Sequence, residues 1–230
     1  MKQILTDGII LKRTDYGEAD RIITVLTPER GKLRLMARGV RKVKSKLAGG
    51  IELFSTSQLT YIEGKGEIGT LISSRLEKHY GRIVGDIARV QLGYELIKLL
   101  DKTTEDHPEP DYYYLLEQAF AALDDNQVDT ELIRLWFQAQ LIRLAGHAPN
   151  LQTDSNGDKL SAETAYNFDF EAMAFSPHAS GRFMAAQVKT LRLLFSGHSA
   201  AEIAKVQGIA EQLEAIAPLI RTMLTSYVQV

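Results

Sequence analysis

The sequence predicts an α+β fold, with a five-stranded barrel over residues 1–80 and an α-helical domain over 81–230 that carries an irregular insert at about 147–183. Three observations lead there. Up to Leu76 the apolar residues come in short β-branched runs separated by Gly- and Pro-containing turns. From Tyr80 they recur every three or four residues instead. Between His147 and Phe183 that helical period lapses, while Asp, Asn, Ser, Gly and Pro accumulate. At 230 residues the chain is long enough to bury the cores of two small domains.

Gln3 to about Arg13, with Ile4, Ile9, Ile10 and Leu11, reads as the first strand, ended by Thr14-Asp15-Tyr16-Gly17-Glu18. Ala19 to Thr27 is the second. Thr27-Pro28-Glu29-Arg30-Gly31 places Pro and Gly where a tight hairpin uses them, so the third strand follows directly. Phe54 to Ile62 and Ile68 to Leu76 complete the set around the turn Glu63-Gly64-Lys65-Gly66-Glu67. Five short strands so spaced suit a small barrel such as an OB-fold, with an SH3-like barrel as the alternative. Gly64, Gly66 and Gly69 spell G-x-G-x-x-G, but a strand follows where a dinucleotide site needs a helix N-terminus, so they read as hairpin glycines.

In the second part, Ile83, Ile87, Val90, Tyr94 and Ile97 predict the buried stripe of a helix ending near Lys102. A polar linker, Thr103 to Pro110, leads to a helix capped by Asp111, with Tyr113, Leu116, Phe120 and Leu123 inward. Thr130 is the expected cap of the next, which buries Ile133, Trp136, Phe137, Leu141 and Leu144 and stops at Gly146. After the insert come Val188, Leu191, Leu194 and Phe195, then the capping-box pattern Ser199-Ala200-Ala201-Glu202. The last helix uses Ile209, Leu213, Ile216, Ile220 and Tyr227, and Pro218 should kink or break it.

The stretch with the clearest chemistry is Gly31 to Gly50, where Lys32, Arg34, Arg38, Arg41, Lys42, Lys44 and Lys46 occur without an acidic residue. Strand alternation sends Lys32, Arg34 and Arg38 to one face, and the later cations continue through a loop after Gly39. This is the expected grip on phosphates, and a solvated edge strand guarded by charge is the alternative. The net charge of −2 hides the asymmetry: the cations lie toward the start and the remainder is acidic. Tyr16, Phe54 and Tyr61 are candidates for stacking on bases. With no cysteine there is no disulfide or thiolate chemistry, and no stretch is apolar for the ~20 residues of a membrane span, so a soluble, cytoplasmic protein is expected. Nucleophile, zinc-protease and phosphate-loop motifs are missing, and His79, His107, His147, His178 and His198 are scattered. No catalytic residue is expected.

Tyr16-Gly17-Glu18-Ala19-Asp20-Arg21, Gly31-Lys32-Leu33, Ala37-Arg38-Gly39-Val40-Arg41-Lys42, Ser45-Lys46-Leu47 and Phe54 together resemble the N-terminal signature of the RecO family of bacterial recombination mediators. Thinner similarity continues through Leu135-Trp136-Phe137, Gly146-His147-Ala148-Pro149 and Phe175-Ser176-Pro177. The resemblance implies an OB-fold, then a helical domain with a zinc-ribbon-like insert. It also implies a non-catalytic, nucleoid-associated activity: binding single- and double-stranded DNA, annealing complementary strands, and helping, together with RecR, to load the recombinase on strands coated by single-strand-binding protein. A site for that protein's acidic C-terminal tail is implied for the helical domain, and Arg134 and Arg143 are proposed for its rim. The chain departs from the family where zinc-bearing members place two Cys-x-x-Cys pairs, having Thr153, Asp154, Ser155 and Asn156, then Gly181, Arg182 and Phe183. It also ends at Tyr227-Val228-Gln229-Val230 without a basic tail. No structural metal or other cofactor is therefore expected, and Phe168, Phe170, Met173 and Phe175 should hold the insert by burial. An RNA-binding OB-fold and a non-catalytic interaction scaffold are the alternative readings.

Overall fold

The computed structural model describes residues 2–64, 66–106 and 108–228. Lys65 of the expected turn, His107 of the linker, and Gln229 and Val230 of the C-terminal stretch lie outside the described residues, as does Met1. Two compact units divide the chain, 1–125 and 126–230.

Five strands build the first unit: β1 (Gln3–Tyr16), β2 (Asp20–Thr27), β3 (Gly31–Ala37), β4 (Ser55–Ile62) and β5 (Ile68–His79). They close in the order β1-β2-β3-β5-β4, with β1 pairing back to β4. A short parallel pairing, Arg34 opposite Ile68 to Met36 opposite Thr70, joins β3 to β5. This is the five-stranded barrel of the OB type. Alternation fills it, since Ile10, Ile23, Val25, Leu35, Leu59, Tyr61 and Leu71 point inward from successive strands. The β2–β3 turn forms as its Pro and Gly require: the Thr27 hydroxyl accepts from the Arg30 N–H at 3.2 Å and donates to the Gly31 carbonyl at 2.9 Å. β1 outruns its expected end at Arg13, because pairing with β2 continues to Tyr16 opposite Asp20.

The same unit includes α1 (Ile87–Thr103) and α2 (Pro110–Asp124). Asp86 caps α1 by accepting from Ala88 and Arg89, which sets a buried face of Arg89, Leu92, Gly93, Leu96, Ile97 and Leu100. The expected stripe is therefore misplaced. Ile87 is 79% exposed and Tyr94 50% exposed, while Ile83 belongs to a 3₁₀ turn before the cap. α2 starts one residue early, with Pro110 in its first turn and Glu109 at the cap position instead of Asp111. Phe54 and Tyr80, at the ends of β4 and β5, meet Phe120 of α2 edge to face at 5.6 and 5.7 Å. Arg89 is buried beneath, donating to the carbonyls of Leu123 and Asp125 and so closing the C-terminus of α2.

In the second unit α3 (Thr130–Leu144) is capped by Asp129, not by Thr130. It is buried nearly all round, and the Trp136 indole N–H donates to the His198 carbonyl at 2.9 Å. α4 (Ala185–Leu194), the short α5 (Ala200–Ile203) and α6 (Ile209–Tyr227) follow the insert. The Ser199–Glu202 capping box forms as expected. Of the expected kink or break at Pro218 the break does not occur: α6 continues through it, with Ile216, Ala217, Leu219 and Ile220 buried on either side. Packing of that apolar face outweighs one lost backbone hydrogen bond.

The insert is ordered where irregularity was expected. β6 (Asn150–Asp154), β7 (Tyr166–Asp169) and β8 (Ala174–Pro177) form a sheet in the order β6-β8-β7. Its centre is Phe175, fully buried, with the rings of Tyr166, Phe168 and Phe183 around it at 5.3 to 6.2 Å. Phe170 and Met173, expected to share that burial, stay partly exposed. Gly181 lets the chain cross the backbone of Tyr166, since a Cβ there would lie 2.3 Å from the Tyr166 nitrogen.

Candidate nucleic-acid interface

The basic stretch begins on β3 and continues as the β3–β4 loop, and its residues part company in the structure. Lys32 turns away from solvent. Its side chain is 10% exposed, its ammonium donates to the carbonyls of Asp101 at 2.6 Å and Thr104 at 2.9 Å, and it pairs with the Asp101 carboxylate at 3.0 Å. Those carbonyls end α1, where a cation meets the negative pole of the helix. Lys32 thus fastens α1 to the barrel and leaves the phosphate grip expected of it. Lys32→Met should lower the melting temperature, because it strips about 1–3 kcal/mol of charged hydrogen bonding from a half-buried site. The salt dependence of DNA binding should stay unchanged, which a titration of affinity against salt checks.

Arg34 remains on the outer face, opposite Thr24, which in turn lies opposite Lys12 of β1. Lys12 was not singled out from the sequence, although the alternation of β1 placed it on this side. Together they line a cleft of about 630 Å³ that also takes in Tyr61, Glu63 and Glu67. Glu67 lies 3.8 Å from Arg34, so the barrel face is charge-balanced.

The loop is not balanced. Arg38 leaves the strand and is exposed, as are Arg41, Lys42, Lys44 and Lys46. Among the described residues the side chains of Arg38, Lys42, Lys44 and Lys46 have no hydrogen-bond or ion-pair partner. Mutual repulsion would splay such a loop unless something holds its base, and the β1–β2 turn does so. The Asp20 carboxylate accepts the Gly39 N–H at 2.7 Å, with Gly39 at φ +64°, and the Ala19 carbonyl accepts the Arg41 N–H at 2.9 Å. The Arg41 guanidinium lies 3.6 Å from Asp15, which also receives Arg21 at 2.7 Å. Farther along, Val40 and Ile51 are buried in the barrel core with Leu47 against them, and Ser74 of β5 donates to the Leu47 carbonyl.

The hydrogen bond from Arg21, with the charges of Arg41 and Arg13 added, lowers the Asp15 carboxyl below its ordinary value. A carboxyl that titrates lower when folded contributes fully above the ordinary carboxylate range and loses that contribution as pH falls through the lowered value. The contacts of Asp15 with Arg21 and Arg41 should therefore persist at pH 5. Carboxyl titration by NMR checks this, with Arg21→Gln expected to return Asp15 toward the usual range.

Of the stacking candidates, Phe54 and Tyr61 are buried core, and only Tyr16 is open, at 56% exposure beside the clamped turn. Phe54 sits at φ +55°, in the left-handed region. Arg134 and Arg143 do not share a rim. Nine residues apart on one helix, they face roughly opposite sides. Arg134 pairs with Glu131, and Arg143 donates to Gln140 at 2.9 Å.

The tight join between the β1–β2 turn and the basic loop gives the paired sequence motifs a shared reason. A model of the N-terminal domain of recombination protein O matches residues 1–80, and one of its C-terminal domain matches residues 84–230. The chain belongs to the RecO family. DNA repair protein RecO of Listeria welshimeri is 30% identical over 165 residues, 71% of this chain and 62% of that protein. The protein of that name from Heliobacterium modesticaldum is 32% identical over 151 residues, 66% of this chain and 54% of its own length. That from Dehalococcoides mccartyi is 33% identical over 178 residues, covering 76% and 66%. The chain spans less than two thirds of these RecO relatives.

The zinc that the family resemblance implies for its cysteine-bearing members does not fit the residues found here. At the first ligand pair Asp154 accepts the N–H groups of Asn156 and Asp158, and Ser155 is hydrogen-bonded to Ser176. At the second stand Gly181, Arg182 and Phe183, with no thiolate or imidazole among them.

Proposed function

We propose that this chain is a non-catalytic DNA-binding mediator of recombinational repair that binds single- and double-stranded DNA and anneals complementary strands. One observation carries the reading: a loop held in place at its base, whose Arg38, Lys42, Lys44 and Lys46 have no partner among the described residues. Phosphates are the natural counter-charge, and such a surface binds with little regard to base sequence. Neutralising both strands at once lowers the repulsion between them, which is what annealing needs. Family membership and the relatives' name favour DNA over RNA.

The same resemblance supports RecR and single-strand-binding protein as partners in loading the recombinase, within the cytoplasm and nucleoid. No helix among the described residues is long and apolar enough to cross a membrane. The acidic tail of single-strand-binding protein is assigned to the helical part of the chain, without Arg134 and Arg143 as a pair. The groove between α3 and α6 is a poor receptor for it, because Asp129, Glu131 and Glu214 line it against the cation Arg221, which already pairs with Glu131 at 2.7 Å.

The deciding experiment is annealing of complementary DNA, bare and coated by single-strand-binding protein, with an RNA pair as control. Acceleration of DNA annealing is expected. Faster RNA than DNA annealing, or no acceleration of either, overturns the reading.

We further propose that the insert holds without zinc. Tyr166, Phe175, Phe183 and Leu151 are all buried, and at about 1.5–3 kcal/mol each they approach the roughly 10–16 kcal/mol that structural zinc provides. A chelator should leave the melting temperature unchanged, measured by differential scanning calorimetry.

A further inference from the structure

The β3–β4 loop holds one apolar side chain that the barrel does not take. Val40 and Ile51 are 4% and 1% exposed, and Leu47, Ala48 and Leu53 pack against the same core, whereas Val43 is 104% exposed. Its place is built. Lys42 donates its N–H to the Gly39 carbonyl at 3.1 Å, and Ser45 donates to the Lys42 carbonyl at 2.9 Å. Two successive turns thus present Val43 at the centre of the second, and the Asp20 and Ala19 contacts anchor the near end. Lys42 and Lys44 flank it, both exposed and without a partner among the described residues.

We propose that Val43 is a wedge that enters a base step of duplex DNA from the minor groove, with Lys42 and Lys44 on the adjoining phosphates. The inference rests on the DNA-binding reading above and names its substrate as base-paired DNA. A stiff β-branched side chain on a tight turn suits a groove roughly 6 Å wide. An apolar residue placed between base pairs unstacks them and bends the duplex by roughly 20–90°, while the cations supply an affinity that is indifferent to sequence. An exposed valine among lysines gains nothing from water and packs against none of the described residues. A base face is the apolar surface that lies within reach of phosphate-bound lysines.

The test separates wedge from grip. Short duplexes labelled at both ends for energy transfer, and carrying 2-aminopurine at internal positions, are titrated with the whole chain, Val43→Ser and Val43→Ile. The natural sequence and Val43→Ile should raise both 2-aminopurine fluorescence and end-to-end transfer. Val43→Ser should bind within about threefold of the same affinity and with the same salt slope, yet raise neither. Retention of both signals by Val43→Ser overturns the wedge, as does binding by the natural sequence with neither signal. If the natural sequence binds no duplex at all, the wedge falls together with the double-stranded part of the DNA-binding reading, and affinity alone distinguishes that outcome from the other two.

Discussion

Reversing Arg38, Lys42, Lys44 and Lys46 together to glutamate should reduce DNA affinity by more than about 100-fold and abolish annealing, with the fold intact. Each of these side chains is exposed and has no hydrogen-bond or ion-pair partner among the described residues, so reversal breaks no such bond. What changes is the field at the loop. If each cation neutralises one phosphate, the slope of log affinity against log salt should flatten by roughly 3 on single strands, about 0.7 for every phosphate lost. Arg41 is left out because its charge is shared with Asp15 and its N–H belongs to the clamp. Filter binding or anisotropy across a salt series reads the result. An unchanged slope in a folded quadruple variant would return the loop to a charged guard over a barrel edge.

Gly93→Ala should destabilise the first unit by about 2–3 kcal/mol, an overpacking cost, and lower its melting temperature by roughly 10 °C. Helix propensity alone argues the opposite, since alanine is favoured over glycine in a helix interior by about 1 kcal/mol. A methyl group at this position of α1 would lie 2.5 Å from a ring carbon of Phe54. That ring has little room to retreat. It is 3% exposed, lies edge to face with Tyr94 at 5.3 Å and with Phe120 at 5.6 Å, and its carbonyl accepts the Tyr80 N–H. Trimming the ring in the double variant Gly93→Ala with Phe54→Leu should recover part of the loss, which a double-mutant cycle by calorimetry measures. A melting temperature raised by Gly93→Ala would mean that propensity, not the fit between α1 and the barrel, governs this position.

Local chemistry explains what could be read in advance. Strand alternation, Pro and Gly at the β2–β3 turn, the Ser199–Glu202 box and the apolar face of α3 are each decided by residues close in sequence, and each appears in the structure. Spacing alone mispredicts the buried face of α1 because Ile87 and Tyr94 have the right spacing but the wrong phase. The Asp86 cap and the Phe54 ring set the phase, and Phe54 lies 39 residues upstream of Gly93. The strands of the insert leave no clear period in the sequence because they are four or five residues long and depend on rings gathered from Tyr166 to Phe183.

The candidate site divides along the same line. Sequence alone determined that a run of cations without acids follows the third strand, since charge and alternation are properties of neighbouring residues. Only the tertiary structure decided which cations are available. Lys32 and Arg34 are two residues apart on one strand, yet the C-terminus of α1 covers the first and leaves the second in a balanced cleft. Arg38 and the loop lysines stay open because Ala19, in the turn before β2, and Asp20, the first residue of β2, hold the loop by its backbone and leave its side chains to the solvent. The free energy of a charge depends on what surrounds it, and those surroundings come from segments tens of residues away.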